Sequence, residues 1–137
     1  MIRYADRKDF ELLRRYDRHI GAEELKNAID GGRILVMEEG NAFIGWLRYG
    51  LFWDNLPFMN LLYLLEEYRG KGYGTRLVNF WEAAMQEKGF DMVLTSTQSD
   101  ERGQFFYRKN GYVDSGSLLL PGEPLEIILL KRIRESV

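Results

Sequence analysis

The 137-residue sequence contains no cysteine and only one histidine. The absence of cysteine excludes disulfides, thiolate nucleophiles and cysteine-based zinc sites, and it fits a reducing compartment. A single histidine, His19, excludes any metal site that needs several imidazole ligands. We therefore expect neither a metal site nor covalent chemistry on sulfur.

Long apolar runs are also missing, and no segment approaches the ~20 apolar residues that a membrane-spanning helix needs. The first ten residues, MIRYADRKDF, are charged from Arg3 onward and lack the apolar block of a signal peptide. Neither sign of charge is in excess, since 19 basic residues stand against 21 acidic ones for a net charge of −2. We expect a cytoplasmic protein that binds neither membrane nor nucleic acid.

Hydrophobic residues make up 45% of the sequence, which is enough for one packed core, and the length predicts one domain over residues 1–137. Periodicity, caps and glycine breaks predict the order β-α-α-β-β-β-α-β-α-β-β. The predicted strands are 2–5, 33–39, 42–53, 58–65, 91–97, 112–120 and 125–133. The predicted helices run from Asp6 or Asp9 to about Ile20, over 22–30, from about 74 to 88, and from Ser99 or Asp100 to Asn110. Strands and helices without strict alternation predict an α/β domain around a mixed sheet.

A glycine-rich segment, EEYRGKGYGTRL at residues 66–77, stands between a predicted strand and a predicted helix. Its centre, Arg69 to Gly74, holds three glycines and two cations in six positions. The free N–H groups and the dipole at a helix N-terminus attract anions, and glycine lets the backbone approach a phosphate. The segment therefore predicts a phosphate site, and the alternative is a strand-to-helix turn that simply favours glycine.

Two known phosphate motifs do not match this segment. A P-loop needs Gly-Lys-Ser/Thr, whereas Lys71 is followed by Gly72. A dinucleotide fingerprint, G-x-G-x-x-G/A, meets Thr75 in its last position when it starts at Gly70, and Leu77 when it starts at Gly72. These nucleotide-binding classes are excluded.

One phosphate motif does match. RGKGYG, residues 69–74, fits Q/R-x-x-G-x-G/A, the acyl-CoA pyrophosphate loop of the GNAT superfamily of N-acetyltransferases, and FFYRKNGY, residues 105–112, resembles the tyrosine segment of that superfamily. The sequence departs from the family pattern at Glu66, Asp100 and Gly103, where proline, asparagine and alanine are usual. The resemblance covers essentially the whole chain. It implies a GNAT-like fold: a central twisted, mixed and mostly antiparallel sheet of about six to seven strands, flanked by about four helices.

The resemblance implies acetyl-CoA as the acyl donor, lying between the strand that ends at Leu65 and the strand 91–97. Its pantetheine would pair with the backbone at Leu64 and Leu65, as an added strand does. The Leu65 amide would also polarise the thioester carbonyl. The residues assigned to the cosubstrate are Leu64, Leu65, Arg69, Gly70, Lys71, Gly72, Tyr73, Gly74 and Thr75.

The implied reaction is direct attack of an amine on the thioester. Tyr107 matches the family tyrosine and would donate a proton to the leaving thiolate, whose pKa is near 8.5; the alternative for Tyr107 is a core aromatic. An amine with a pKa near 10.4 must lose its proton first. Glu66 and Glu67, at the strand end, are the candidate bases, and a water chain is the alternative.

The acceptor would be a small amine, a peptide N-terminus or a lysine side chain. His19, Tyr49, Trp53 and Asp54 are the candidate substrate-binding residues, accompanied in the same stretch by Phe52 and Phe58. The alternative is that the aromatic residues fill the sheet faces and that His19 has a surface or packing role. If these aromatics form a pocket with Asp54 at its edge, a small cationic amine would suit it.

Two further expectations concern function and assembly. A non-catalytic acyl-CoA-binding or regulatory domain of the same fold is the alternative to an enzyme, and the presence of Tyr107 favours the enzyme. A homodimer is left open, with LEIILL, residues 125–130, as a strand that would pair between subunits if it lay at a sheet edge.

Overall fold

A computed structural model describes residues 1–134, so the last three residues of the predicted domain, 135–137, lie outside the described residues. The predicted element order is confirmed, with two added 3-10 turns at Arg7–Asp9 and Glu66–Tyr68. The strands are β1 (Ile2–Tyr4), β2 (Ile34–Glu39), β3 (Ala42–Phe52), β4 (Leu56–Leu64), β5 (Met92–Gln98), β6 (Val113–Leu118) and β7 (Glu126–Arg132). The helices are α1 (Phe10–Tyr16), α2 (Ala22–Asp30), α3 (Tyr73–Glu87) and α4 (Gly103–Lys109). No helix among residues 1–134 is long and apolar enough to cross a membrane.

The seven strands form one sheet in the order β1-β2-β3-β4-β5-β7-β6. β1 and β2, β2 and β3, β5 and β7, and β6 and β7 pair antiparallel. β4 and β5 pair parallel, with Phe58 opposite Leu94 and Met59 opposite Thr95. The sheet is mixed and mostly antiparallel and is accompanied by four helices, so the predicted fold class is confirmed.

Two predicted helix bounds are wrong. α1 ends at Tyr16 and not near Ile20, because Asp17 leaves the helix with extended backbone angles and turns its carboxylate to β3. α4 begins at Gly103 and not at Ser99 or Asp100. The side chain of Glu101 accepts a hydrogen bond from the N–H of Gln98 at 2.9 Å, and this contact holds a separate turn ahead of the helix.

LEIILL does not lie at a sheet edge, so the condition set for its pairing between subunits is not met. This segment forms most of β7, which pairs with β5 on one side and with β6 on the other. The reason is that β6 and β7 form a hairpin, so the chain covers β7 with its own preceding strand. The edge strand on this side of the sheet is β6, which is exposed along its whole length.

The chain divides into two compact units, one of residues 1–50 and 61–80 (unit 1) and one of residues 51–60 together with the described residues from Trp81 onward (unit 2). In unit 1, apolar residues of α1, α2, β2 and β3 form a buried cluster that includes Leu13, Leu25, Ile34 and Trp46. Leu61 of β4 packs against this cluster. The prediction of a single domain stays a prediction.

Unit 2 buries apolar side chains of β5, β7 and the second part of α3, among them Val93, Leu129 and Trp81. It also contains a buried polar network around Glu82, a residue of α3. One carboxylate oxygen of Glu82 accepts from the Tyr112 hydroxyl at 2.8 Å, and the other accepts from Lys131 Nζ at 2.8 Å. Because a buried carboxylate is costly unless it is paired, this network fixes α3, β7 and the start of β6 against one another.

Candidate functional site

The glycine-rich segment forms a loop at the N-terminus of α3, in unit 1. Gly70 and Gly72 have φ values of 74° and 89°, in the region that favours glycine. The first helical hydrogen bond runs from the Arg76 N–H to the Gly72 C=O at 3.1 Å. The N–H groups of residues 73–75 therefore precede the helical ladder, as the first N–H groups of any helix do.

The loop is open above its backbone and has no acidic residue in the helical turn that follows it. A Cβ added at Gly70 or Gly72 would meet no atom within 4 Å, so the space above the backbone is open. The first turn of α3 contains no acidic residue. Backbone donors, a positive helix end and the nearby cation of Lys71 form an environment that favours a phosphate anion.

Arg69 braces the loop against the strand before it. Its Nε donates to the C=O of Leu64 at 2.9 Å, and its guanidinium carbon lies 5.0 Å from the centre of the Tyr63 ring. Arg69 is one of the residues that the family resemblance assigns to the cosubstrate. In the structure the side chain turns back to the end of β4 and fixes the path of the chain into the loop.

Tyr73, the first residue of α3, is tethered to β2. Its hydroxyl donates a hydrogen bond to the carboxylate of Glu39, and this bond raises the pKa of Tyr73. The ring of Tyr68 meets it edge-on at 6.0 Å. No local pattern in the sequence predicts this contact, because the two residues are 34 positions apart.

The end of β4 lies unusually close to β3. A Cβ at Gly45 would stand 2.3 Å from the C=O oxygen of Tyr63 and 3.0 Å from the Cα of Leu64. Beside this point the N–H of Leu65 donates to the C=O of Ile44 at 2.9 Å. The Leu65 amide thus already has an acceptor. Because N–H and C=O groups alternate sides along a strand, those of Leu64 point to the edge away from β3.

Tyr107 lies on α4, in unit 2, and is 9% exposed. Burial raises the pKa of Tyr107 to about 12, while hydrogen bonding to Thr95 opposes the shift and the charge of Glu101 adds to it. The Thr95 hydroxyl donates its one proton to the C=O of Met59 at 3.0 Å. Tyr107 stays protonated at every physiological pH.

The Glu82 network holds the segment that carries Tyr107. The Tyr107 and Tyr112 rings meet edge-to-face at 5.7 Å, and the Tyr112 N–H donates to the Tyr107 C=O at 3.0 Å. Tyr112 is fixed in turn by its bond to Glu82. Glu82 and Lys131 were not anticipated from the sequence, where they are 49 positions apart.

The candidate bases and His19 are exposed residues of unit 1. Glu66 and Glu67 open the 3-10 turn directly after Leu65, as their positions in the sequence suggested. His19 lies in the loop between α1 and α2, and its N–H donates to Asp17 at 3.2 Å. The Asp17 carboxylate is itself buried and bound by Arg48, which fixes the loop that carries His19.

The other predicted acceptor residues have contrasting environments. Tyr49, in unit 1, is buried, and burial raises its pKa. Trp53 and Asp54, in unit 2, form the tip of the turn between β3 and β4, with φ values of 55° and 64°. Trp53 is 76% exposed, and its ring lies 4.7 Å from the Phe52 ring at a tilt of 43°.

Among residues 1–134, no group of three or more His, Cys, Asp or Glu side chains is arranged to hold a metal ion.

Several proteins of known structure are similar in fold to this chain over nearly its whole length, although their sequence identity to it is low. An acetyltransferase of the GNAT family from Bacillus cereus ATCC 10987 is 24% identical, with 96% of each chain covered and a TM-score of 0.77. The paiA N-acetyltransferase from Thermoplasma acidophilum, solved in complex with coenzyme A, is 22% identical, with 96% of this chain and 98% of that chain covered and a TM-score of 0.76. An aminoglycoside 6′-N-acetyltransferase complexed with coenzyme A is 19% identical, with 100% and 99% covered and a TM-score of 0.82.

At these identities the structural likeness shows the fold. No curated protein sequence matches the chain. A model of the acetyltransferase (GNAT) family matches residues 3–112, which is more than half of the chain and includes both the glycine loop and the tyrosine segment. The chain therefore belongs to the GNAT family of acetyltransferases.

Proposed function

We propose that this protein is an N-acetyltransferase that moves an acetyl group from acetyl-CoA to a primary amine: a small amine, a peptide N-terminus or a lysine. The observation that carries the proposal is the open glycine cradle at the N-terminus of α3, in a chain that belongs to an acetyltransferase family. Two of the structurally similar acetyltransferases were solved with coenzyme A. We also propose that the protein is cytoplasmic.

In this account the pyrophosphate rests on the backbone N–H groups between Arg69 and Thr75, with Lys71 adding charge. Charge-assisted bonds of this kind are worth about 1.5–3 kcal/mol each. Arg69 supports the cradle indirectly, because its guanidinium holds the loop to Leu64 and Tyr63. The tether from Tyr73 to Glu39 fixes the first turn of α3 in the same way.

The thioester contact is assigned to Leu64. The Leu65 N–H would have to leave the Ile44 C=O to polarise the thioester carbonyl, whereas Leu64 presents its N–H on the opposite edge of β4. The Leu64 C=O lies on that edge too and already accepts one hydrogen bond from Arg69 Nε, so pairing there would use its second lone pair. We therefore give Leu64 the pantetheine pairing and the oxyanion-type donor, and Leu65 the part of holding the strand end in place.

Tyr107 is the proposed acid. As the new C–N bond forms and the C–S bond breaks, its hydroxyl proton passes to the leaving thiolate. The Thr95 hydroxyl, which now donates to Met59, can rotate to donate to the phenolate oxygen that remains. Thr95 is a positioning residue in this scheme, since it acts through Tyr107.

The attacking amine must be neutral, and Glu66 and Glu67 remain the proposed bases, directly or through water. Both follow the strand that carries the thioester contact, so they are near the reacting centre in sequence. His19, Tyr49, Trp53 and Asp54 remain the proposed acceptor-binding residues.

The direct test is thiol release from acetyl-CoA with a panel of primary amines and peptides. We expect at least one amine to accelerate thiol release above hydrolysis, with acetylated amine formed in equal amount. Binding of acetyl-CoA without acetylation of any member would overturn the proposal of an enzyme and indicate a non-catalytic acyl-CoA-binding domain.

A further inference from the structure

Four aromatic side chains of unit 1 stand in contact across α1, β3 and β4. Tyr16 lies 5.5 Å from Phe43 and 6.1 Å from Trp46, Phe43 lies 5.9 Å from Trp46, and Trp46 lies 5.1 Å from Tyr63, measured between ring centres. These four residues, the aromatic wall, form one continuous chain of ring contacts between elements that are far apart in the sequence.

The wall is buried at its centre and open at its ends. Trp46 is 1% exposed, whereas Tyr16 and Tyr63 are 40% and 41% exposed. Scattered exposed apolar side chains are ordinary on a protein surface. Tyr16 and Tyr63 are different, because each exposed ring contacts the buried indole of Trp46 and is held on that fixed support.

The orientation of the wall is set by a buried ion pair. The Asp17 carboxylate accepts from Trp46 Nε1 at 3.3 Å and from Arg48 Nε at 2.9 Å. The Asp17 side chain is 0% exposed and that of Arg48 is 9% exposed. This carboxylate is bound by Trp46 and Arg48, so the exposed part of the wall is aromatic and Asp17 offers a ligand no free carboxylate.

One end of the wall reaches the proposed reacting centre. Tyr63 is followed directly by Leu64, to which the thioester contact is assigned. The planar guanidinium of Arg69 already lies over the Tyr63 ring at 5.0 Å. This ring therefore accepts a planar group while remaining 41% exposed.

We infer that the acceptor is an arylalkylamine, a small primary amine whose aromatic ring stacks on the aromatic wall beside Tyr63. The inference rests on the proposed acetyltransferase function and names its substrate class. Offset and edge-to-face stacking on Tyr63 or Tyr16 holds the ring, and a short alkyl chain carries the amine toward Leu64. The low polarity of the rings also favours the neutral, reactive form of the amine.

The test compares phenethylamine, cyclohexylethylamine and ethanolamine as acceptors with the wild type, Tyr63→Leu, Tyr16→Leu and Phe80→Leu. Phe80 is the matched control, because it is 40% exposed and lies outside the wall. We expect kcat/KM for phenethylamine to exceed that for the other two amines by about tenfold. Tyr63→Leu or Tyr16→Leu should abolish this preference, and Phe80→Leu should preserve it.

Equal kcat/KM for the three amines, or an equal fall for all of them in Tyr63→Leu, would overturn the inference. Calorimetric titration of phenethylamine and of cyclohexylethylamine into the protein saturated with CoA separates this result from failure of the proposed function.

One outcome of the titration would leave the wall standing when no amine is acetylated. In that outcome phenethylamine binds about tenfold more tightly than cyclohexylethylamine, and Tyr63→Leu removes the difference. The wall is then a ring-binding site, and only the enzyme proposal fails. Equal binding of both amines contradicts the wall directly. If Tyr63→Leu does not fold, Tyr16→Leu decides.

Discussion

The backbone N–H of Leu65 donates a 2.9 Å hydrogen bond to the C=O of Ile44, and the neighbouring Gly45 lies against the backbone of Tyr63 and Leu64. The bond joins β3 to the point where the chain leaves β4 for the glycine loop. The close approach leaves no room for a side chain at Gly45. The position of Leu64, and with it the start of the loop, therefore depends on one glycine of the neighbouring strand.

Gly45→Ala should destabilise the protein by about 1–3 kcal/mol, as overpacking of a tight contact does. The added methyl would stand 2.3 Å from the Tyr63 carbonyl oxygen, and the strands must separate to admit it. Urea denaturation measures the change. Gly103→Ala is the control, because its Cβ would make an ordinary 3.5 Å contact with Thr97. Equal stability of Gly45→Ala and the wild type would show that β3 and β4 are not tightly held here.

Tyr107→Phe should lower kcat by about 10²-fold, the usual contribution of a general acid. The affinity for acetyl-CoA should not change, because the phenyl ring keeps its edge-to-face contact with Tyr112. Steady-state kinetics and calorimetric titration of acetyl-CoA measure the two quantities, with Tyr4→Phe as an exposed-tyrosine control. An unchanged kcat would remove the acid role. Since the pKa of Tyr107 is about 12, the wild-type rate should show no loss from this group below pH ~10.

Alkaline pH should weaken the fold through the same tyrosine. Burial raises the pKa of Tyr107 to about 12, against about 10 in the unfolded chain, so the folded state favours the protonated form. This stability is complete below pH ~10 and is lost as pH rises toward 12, by about 1.4 kcal/mol at pH 11. Urea denaturation at pH 8 and pH 11 should give a smaller alkaline loss for Tyr107→Phe than for the wild type. Identical losses would contradict the raised pKa.

Asp17→Asn should cost about 3–5 kcal/mol of stability, because it leaves the buried Arg48 without its counter-charge. Adding Arg48→Met should recover part of the loss, and a double-mutant cycle measures the coupling. The control is Asp30→Asn, since Asp30 pairs with Arg7 at the surface and its loss should matter little. An Asp17→Asn protein as stable as Asp30→Asn would mean that the buried pair does not fix the loop before α2.

The order of the elements and the glycine loop were predictable because each rests on a local pattern. Hydrophobic spacing of the type seen in Leu77, Val78 and Trp81 indicates a helix within a short window. Glycine at positions 70 and 72 indicates a backbone that can take a positive φ angle, and both residues have a positive φ angle in the structure. The family resemblance came from the same letters, and the family match confirms it.

The remaining features depend on contacts between distant residues. Asp17 ends α1 early because its carboxylate binds Arg48, 31 positions away. Ser99 and Asp100 were plausible helix caps, but the bond from the Gln98 N–H to Glu101 gives that turn another partner. The Leu65 N–H donates to the Ile44 C=O because the end of β4 lies beside β3. The spacing of residues within one segment does not predict contacts between segments that are far apart in the sequence.

The most direct test of the central claim is a calorimetric comparison of acetyl-CoA with S-acetyl-pantetheine, which lacks the pyrophosphate and adenosine, in the wild type and in Gly72→Val. Dephospho-CoA, which keeps the pyrophosphate, serves as the control ligand. If the glycine loop holds the pyrophosphate, acetyl-CoA and dephospho-CoA should bind the wild type at least about 100-fold more tightly than S-acetyl-pantetheine. Gly72→Val should remove most of that advantage and leave S-acetyl-pantetheine binding unchanged. Equal affinities of acetyl-CoA and S-acetyl-pantetheine for the wild type, or an advantage that survives Gly72→Val in full, would contradict the account.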